Sequence, residues 1–412
     1  MKKLLSLTAL VLTLTLLSGC IPLPTPPETT QPETGETESP TQAPTTEPTE
    51  APTEPDPLVL QLESMTLEEK VGQLFMVTPG TLGLPQIKAP MDAITQEQVT
   101  QMEAAIREIF ETYPVGGIVQ FAADLYSPEQ ITAYNALLQK AAKIPLFLGI
   151  DEEGGTVARL ANHSGFDLPQ YQSAGAVGAS GNPKDALEMG QTIGAYLQEY
   201  GFNMDFAPVA DVNTNPNNPV IGNRSFSSDC NMASQMAKAM AQGLEEKSIV
   251  PVFKHFPGHG DTAQDSHDEV AYSGKTLGQL QGCEFIPFSG LTENQCVMVG
   301  HIALPEVTGN MTPATLSPEI VTGLLRENLG FEGLIFTDSM VMEAITDNYS
   351  GAEASLLALT AGCQVILQPE DFPSAFTGVV EAVEAGTFPE EQLDTVVLQI
   401  LRFKEAVIGY HP

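Results

Sequence analysis

Eight short apolar runs of strand type, helix-period segments between them, and charged or imidazole side chains just after or late in five of the runs predict one α/β domain, a (β/α)8 barrel of the TIM type. The runs are 71–77, 117–121, 145–150, 204–209, 250–255, 297–303, 333–337 and 364–367. Near-continuous apolar strands are read as parallel ones covered on both faces, and parallel strands need crossovers of a dozen or so residues. The segments 98–111, 128–142, 183–200, 232–247, 277–291, 318–329, 351–361 and 372–384 supply them as helices, and an amphipathic stretch at 389–407 closes the chain. An open doubly wound sheet is the rival; a closed barrel accounts for all eight units in one domain.

Taken from its start, the chain first carries an address. Lys2 and Lys3 precede an apolar stretch at 4–17 and the small-residue sequence Leu17-Ser18-Gly19-Cys20, which resembles a bacterial lipoprotein signal. That resemblance implies cleavage before Cys20, acylation of Cys20, and an extracytoplasmic protein held to the bacterial membrane by its lipid. The apolar stretch is too short for a permanent span, which takes about twenty residues. Residues 21–57 are rich in Pro, Thr and Glu and contain no Lys or Arg, so they are expected to stay extended as a tether. The folded domain is then 58–412, opening on a capped helical turn at 66–70.

Of the 412 residues, 52 are acidic and 17 basic, a formal charge of −35. Eight of the acids lie in the tether and two of the bases in the signal, which leaves 44 acids against 15 bases in the domain, or −29. Duplex nucleic acid, which must be met by Lys and Arg, is excluded as a partner. Four Cys follow Cys20. Their spacing contains no Cys-x-x-Cys pair, against a structural zinc site, and assigns no disulfide. Cys296 and Cys363 each begin an apolar run and are expected to be buried free thiols, with Cys230 and Cys283 left open.

The polar residues carry the functional reading. Asp151 follows the third run, Asp211 the fourth, Lys254 and His255 end the fifth, His301 lies late in the sixth, and Asp338 follows the seventh. In a barrel these carboxyl ends form one rim, so residues spread along almost half the chain converge on one pocket. Asp338, set straight after a strand, is positioned to act as a nucleophile or to cap the next helix. Asp265, two residues before His267, can hold the imidazole's tautomer and make it a general acid and base.

The run Lys254-His255-Phe256-Pro257-Gly258-His259-Gly260-Asp261-Thr262, continued by Asp265-Ser266-His267, resembles the signature of family 3 glycoside hydrolases, in their β-N-acetylglucosaminidase branch. Asp151-Glu152-Glu153-Gly154-Gly155-Thr156-Val157-Ala158-Arg159, Ile221-Gly222-Asn223-Arg224-Ser225-Phe226, Pro313-Ala314-Thr315-Leu316-Ser317 and 333–345 are similar to further family segments. The resemblance implies a retaining hydrolase of terminal non-reducing N-acetylglucosamine, with Asp338 as nucleophile and His267, paired with Asp265, as acid and base. It implies that Asp151, Arg159, Arg224, Lys254 and His255 hold sugar hydroxyls, and His301 is placed with them. No cofactor or metal is implied, and the partner is a carbohydrate such as a cell-wall fragment. Where the family commonly has an acid at the start of the last strand this chain has Gln364, a change expected to matter to packing. Larger members add an αβα domain after the barrel; the barrel alone is expected here. The chain has no Trp, so stacking on a sugar falls to Phe or Tyr.

Other readings differ in what they require. A metal hydrolase would use His255, His259, Asp261 and His267 as ligands, but Pro257 and Gly258 break the helix that the spacing of the first two needs. The glycines of 258–263 mimic a dinucleotide fingerprint without the helix that must start inside it. Within the family, phosphorolysis and β-glucosidase activity are alternatives. A non-catalytic sugar-binding lipoprotein is the alternative of another class.

Overall fold

The computed structural model describes residues 56–265 and 270–412. The signal, Cys20 and the tether up to 55 lie outside the described residues, as do Ser266 and His267.

Eight strands form one parallel sheet: β1 Phe75–Val77, β2 Gly117–Gln120, β3 Phe147–Ile150, β4 Met204–Asp205, β5 Val250–Phe256, β6 Cys296–Val299, β7 Leu334–Thr337 and β8 Ile366–Leu367. They lie side by side in chain order, and β8 returns to β1 through Phe75↔Ile366 and Met76↔Leu367. A parallel bridge joins Phe336 of β7 to Val365, and the Thr337 amide donates to the Val365 carbonyl at 2.9 Å, so the last edge meets the first. Each predicted run overlaps one of these strands, and the barrel reading holds. All of the strand residues are buried, as parallel strands under helices must be. Phe147, Phe206 and Phe336 fill the interior edge to face, with Phe336 6.2 Å from each of the other two rings. Phe403, from the last helix, lies 6.1 Å from Phe147.

The helices follow the expected segments with two exceptions. Residues 277–291, read as one helix, form a helical turn at Leu277–Gln281 and a 3-10 turn at Ile286–Phe288, because Gly282, Pro287 and Gly290 interrupt the backbone ladder. Residues 319–328 wind as a π-helix, ended by the Leu329 amide donating to the Leu324 carbonyl five residues back. Among the described residues four α-helices lie outside the expected segments, the short turns Ala174–Gly178, Pro305–Thr308 and Glu343–Thr346 and the longer Pro57–Ser64, where the Asp56 carboxylate accepts from the Leu58 amide at 2.9 Å. The predicted cap at Thr66 is a capping box, Thr66 and Glu69 each accepting from the other's amide, at 3.2 and 3.0 Å.

Cys230, opening the helix Cys230–Glu245, is bridged to Cys283. Cys296 and Cys363 are buried free thiols, as expected. Gln364 is part of the packing at the amino-terminal ends: its Oε1 accepts from the Ile335 amide at 2.7 Å and from Arg326 at 2.6 Å.

Candidate active site

Asp151 leaves the carboxyl end of β3, and the chain doubles back at once. Glu152–Gly154 pairs antiparallel with Val157–Ala158, and Gly154 and Gly155 take the positive φ values, 79° and 73°, that the turn needs. Strand alternation then sorts the three consecutive acids. Asp151 and Glu153 line the cavity, while Glu152 turns into the protein and accepts from the Leu160 and Ala161 amides and the Tyr196 hydroxyl, all within 2.9 Å.

Lys254, on β5, reaches across the barrel mouth to both cavity acids, 2.7 Å from Asp151 Oδ1 and 2.7 Å from Glu153 Oε1. Arg224, in the 3-10 turn Gly222–Arg224, forks onto Glu153 at 2.9 and 2.7 Å, and Arg159 approaches Asp151 at 3.3 Å. Burial acts to raise the Glu153 carboxyl, but Lys254 and Arg224 outweigh it and bring it down to about 2. The same pairing raises the Lys254 ammonium above its ordinary value against the effect of burial. Glu153 and Lys254 are therefore both charged at neutral pH.

Asp211, beyond β4, is the hub of the next segment. Its Oδ2 meets His255 Nδ1 at 2.7 Å and its Oδ1 accepts from the His259 amide at 2.6 Å. Burial raises its carboxyl and the two imidazoles more than offset this, leaving it below the usual range. Asp205, at the end of β4, is fully buried beside Glu152 and its carboxyl is pushed well up, mainly by that burial.

Asp338 follows β7, its amide donating to the Val299 carbonyl at 2.9 Å and its Oδ1 accepting from the Ser339 amide at 2.8 Å. Desolvation would raise this carboxyl, but His255, His301, the Ser339 amide and Lys254 together hold it below the ordinary aspartate value. It lines a cavity of about 430 Å³ together with Asp151, Glu153, Arg159, Arg224, Lys254, His255 and His259. A smaller cavity of about 240 Å³ at the opposite end, beside Gln73, Phe110 and Leu146, contains none of the predicted site residues.

Six predicted residues thus share one cavity: Asp151, Arg159, Arg224, Lys254, His255 and Asp338. His301 is not on its wall. It is fully buried behind it, with Nε2 3.0 Å from the Ser339 carbonyl and Nδ1 against the Thr315 hydroxyl, so it braces the turn after Asp338. Asp265 is half-buried in the loop after β5, and its neighbour His267 lies outside the described residues. Glu153 was missed, although the alternation from Asp151 was a usable signal. His259, weighed as a metal ligand, lines the cavity with Nδ1 2.8 Å from the Thr262 hydroxyl, while Asp261 turns away to Ser273 and Lys275. Among the described residues no three His, Cys, Asp or Glu side chains are grouped to hold a metal.

A parallel barrel whose carboxyl ends enclose paired ions and an ionised carboxylate is the framework of a barrel enzyme. Residues 66–403 match the glycosyl hydrolase family 3 N-terminal domain, and the chain belongs to that family. It is 32% identical over 338 residues to the β-hexosaminidase LpqI of Mycobacterium tuberculosis, covering 78% of this chain and 84% of that protein. β-Hexosaminidase A of Pseudoalteromonas piscicida is 30% identical over 333 residues, 74% of this chain and 56% of its own length. A solved family 3 β-N-acetylglucosaminidase from Paenibacillus sp. superposes with a TM-score of 0.75 at 33% identity, over 85% of this chain and 64% of that one. The chain therefore spans a little over half of the Pseudoalteromonas protein and just under two thirds of the Paenibacillus one.

Proposed function

We propose that the protein is a retaining β-N-acetylhexosaminidase that releases terminal non-reducing N-acetylglucosamine. The observation that carries the reading is Asp338: a carboxylate kept anionic in a cavity whose other polar side chains are already paired into a hydroxyl-binding lattice. Lys254, Arg224 and Arg159 offer donors, and Asp151 and Glu153 offer acceptors, which together suit a ring of neutral hydroxyls.

Asp338 attacks the anomeric carbon and the glycosidic bond breaks as the leaving oxygen takes a proton from His267. The resulting glycosyl ester is cleaved by water, whose proton returns to His267. Two displacements at one carbon retain its configuration. His255, bonded through Nδ1 to Asp211, stands close to Asp338, helps hold its carboxyl down, and orients the side of the pocket facing β5.

The identity of the relatives supports the N-acetyl sugar, and the signal-like residues ending in Cys20 support a lipid-anchored enzyme outside the membrane that trims cell-wall fragments. Incubation with an activated fluorosugar analogue of N-acetylglucosamine should label one peptide, at Asp338. Label on another residue, or turnover by Asp338→Ala above about a thousandth of the wild-type rate, would remove Asp338 from the role. For the anchor, Cys20→Ser should move the protein from the detergent phase to the aqueous phase; no shift would sink that part of the reading.

A further inference from the structure

Beyond the cavity, a second cluster of charges stands beside the loop that follows β5. Lys275 Nζ meets Glu284 Oε1 at 2.5 Å, Asp261 Oδ1 at 3.0 Å and the Thr214 hydroxyl at 3.1 Å, and the Ser273 hydroxyl donates to Asp261 Oδ2 at 2.8 Å. Glu284 is 1% exposed and its other oxygen, Oε2, is buried with no hydrogen-bond partner. Withdrawing a carboxylate from water in this way is unfavourable unless a counter-ion offsets it. A surface turn needs no such arrangement.

The position of the cluster gives it a use. Asp261 stands six residues before His267 and Lys275 eight after it, so their ion pair joins the two feet of one loop. The first foot is bedded closely. A side chain on Gly260 would place its Cβ 1.9 Å from the Val212 carbonyl, and one on Gly258, at φ 121°, would meet Glu284 at 2.9 Å. The Asn215 amide donates to the Gly260 carbonyl at 3.0 Å, and Asn218 Nδ2 to the Thr262 carbonyl at 2.9 Å. The second foot is tied through Ala271 and Tyr272, paired in parallel with Ile302 and Ala303. Glu284, on which both feet converge, follows Cys283, fixed in turn to Cys230.

We propose that Lys275, with Asp261 and Glu284, is a positioning clasp that draws the feet of the 261–275 loop together and thereby sets where His267 meets the leaving oxygen. This rests on the reading of His267 as the acid and base. The clasp residues touch neither substrate nor reacting atoms; their effect passes through the loop.

The test compares kcat/KM on two N-acetylglucosaminides, an aryl glycoside with a good leaving group and the unactivated disaccharide of N-acetylglucosamine. Lys275→Met alone would strand the Glu284 carboxylate, so the double variant Lys275→Met/Glu284→Met is used, with Lys275→Arg as the conservative control and His267→Ala in parallel. A misplaced acid should lower kcat/KM on the disaccharide by about tenfold to a hundredfold while leaving the aryl glycoside within about threefold, and Lys275→Arg should recover most of the loss. Should the double variant not fold, Ser273→Ala, which removes the bond to Asp261 and a longer one from the Lys275 amide, is expected to give a smaller loss with the same selectivity. Equal losses on both substrates, or none, while His267→Ala remains selective, would overturn the clasp and leave the acid–base reading standing. If His267→Ala itself fails to discriminate, the acid–base reading falls and the clasp with it.

Discussion

In the role proposed for it Asp338 is useful only as an anion, and its neighbours keep it one: burial works against ionisation, and His255, His301, the Ser339 amide and Lys254 prevail. A carboxylate whose folded value lies below 3.8 stays ionised throughout the weakly acidic range. Labelling of Asp338 by an activated fluorosugar, which needs no proton donor, should therefore keep its rate from pH 7 down to about pH 5. A tenfold fall over that interval would mean that the carboxyl titrates there and that its surroundings have been misjudged. Glu153 gives a second prediction at this scale, because it is shared by Lys254 and Arg224. Glu153→Gln should raise KM more than it lowers kcat and should destabilise the fold by about 3–5 kcal/mol, the usual effect of removing one partner from a buried ion cluster. Glu153 has a depressed carboxyl, so its contribution is fully present above 4.5 and is lost as pH falls toward about 2. Urea titrations of the two proteins should accordingly converge as the pH drops through that window; parallel curves would show that Glu153 gains nothing from its charge.

At the scale of elements, the strands were legible because burial on both faces leaves an apolar run, and the helix Phe372–Glu384 because its buried residues Phe372, Ala375, Phe376, Val379, Ala382 and Val383 recur at helical spacing. The helix expected at 277–291 was not, since its apolar content survives in the two short turns while Gly282 and Pro287 decide the backbone. The site was legible wherever a polar residue directly ended a strand, as with Asp151, Lys254, His255 and Asp338. It was illegible where partners lie far apart in the chain: the same logic put His301 on the wall, and only the fold reveals Thr315 and Ser339 on either side of it. The Cys230–Cys283 bridge was beyond reach for the same reason, its ends being 53 residues apart and Cys283 lying in the segment expected as one helix. Closing a loop of that length should stabilise the fold by about 2–4 kcal/mol. Cys230→Ser/Cys283→Ser should lower Tm by several degrees and abolish its dependence on reductant, while an unchanged Tm would make the bridge incidental.

The whole molecule divides its charges between the two ends of the barrel. At the carboxyl ends Lys254, Arg224 and Arg159 are each matched by a carboxylate, and in the proposed function that lattice serves binding. At the amino ends, among the described residues, one ammonium is buried without a counter-ion: Lys404, from the helix Glu390–Ile408, is fully buried and donates to Gln73 Oε1 and to the Gly116 carbonyl, each at 2.9 Å, with its Nζ 4.8 Å from the centre of the Phe147 ring. Those contacts close the barrel floor under β1 and β2, yet they are neutral, and desolvation brings the ammonium down from 10.5 to about 7. For a base depressed on folding, the unfolded chain binds the extra proton between the two values, so stability rises with pH across that interval. Below pH 7 the folded protein bears the full penalty of a buried ammonium, of the order of a few kcal/mol, and by pH 9.5 most of it is relieved. Wild-type urea midpoints should therefore climb between pH 7 and 9.5, and those of Lys404→Met should stay flatter by about that amount. Since Lys404 lies at the end opposite Asp338, kcat/KM of the variant should be unaltered wherever both proteins are folded. Equal slopes for the two proteins would mean that Lys404 keeps its proton throughout, held by the Phe147 ring and two neutral oxygens better than burial alone allows.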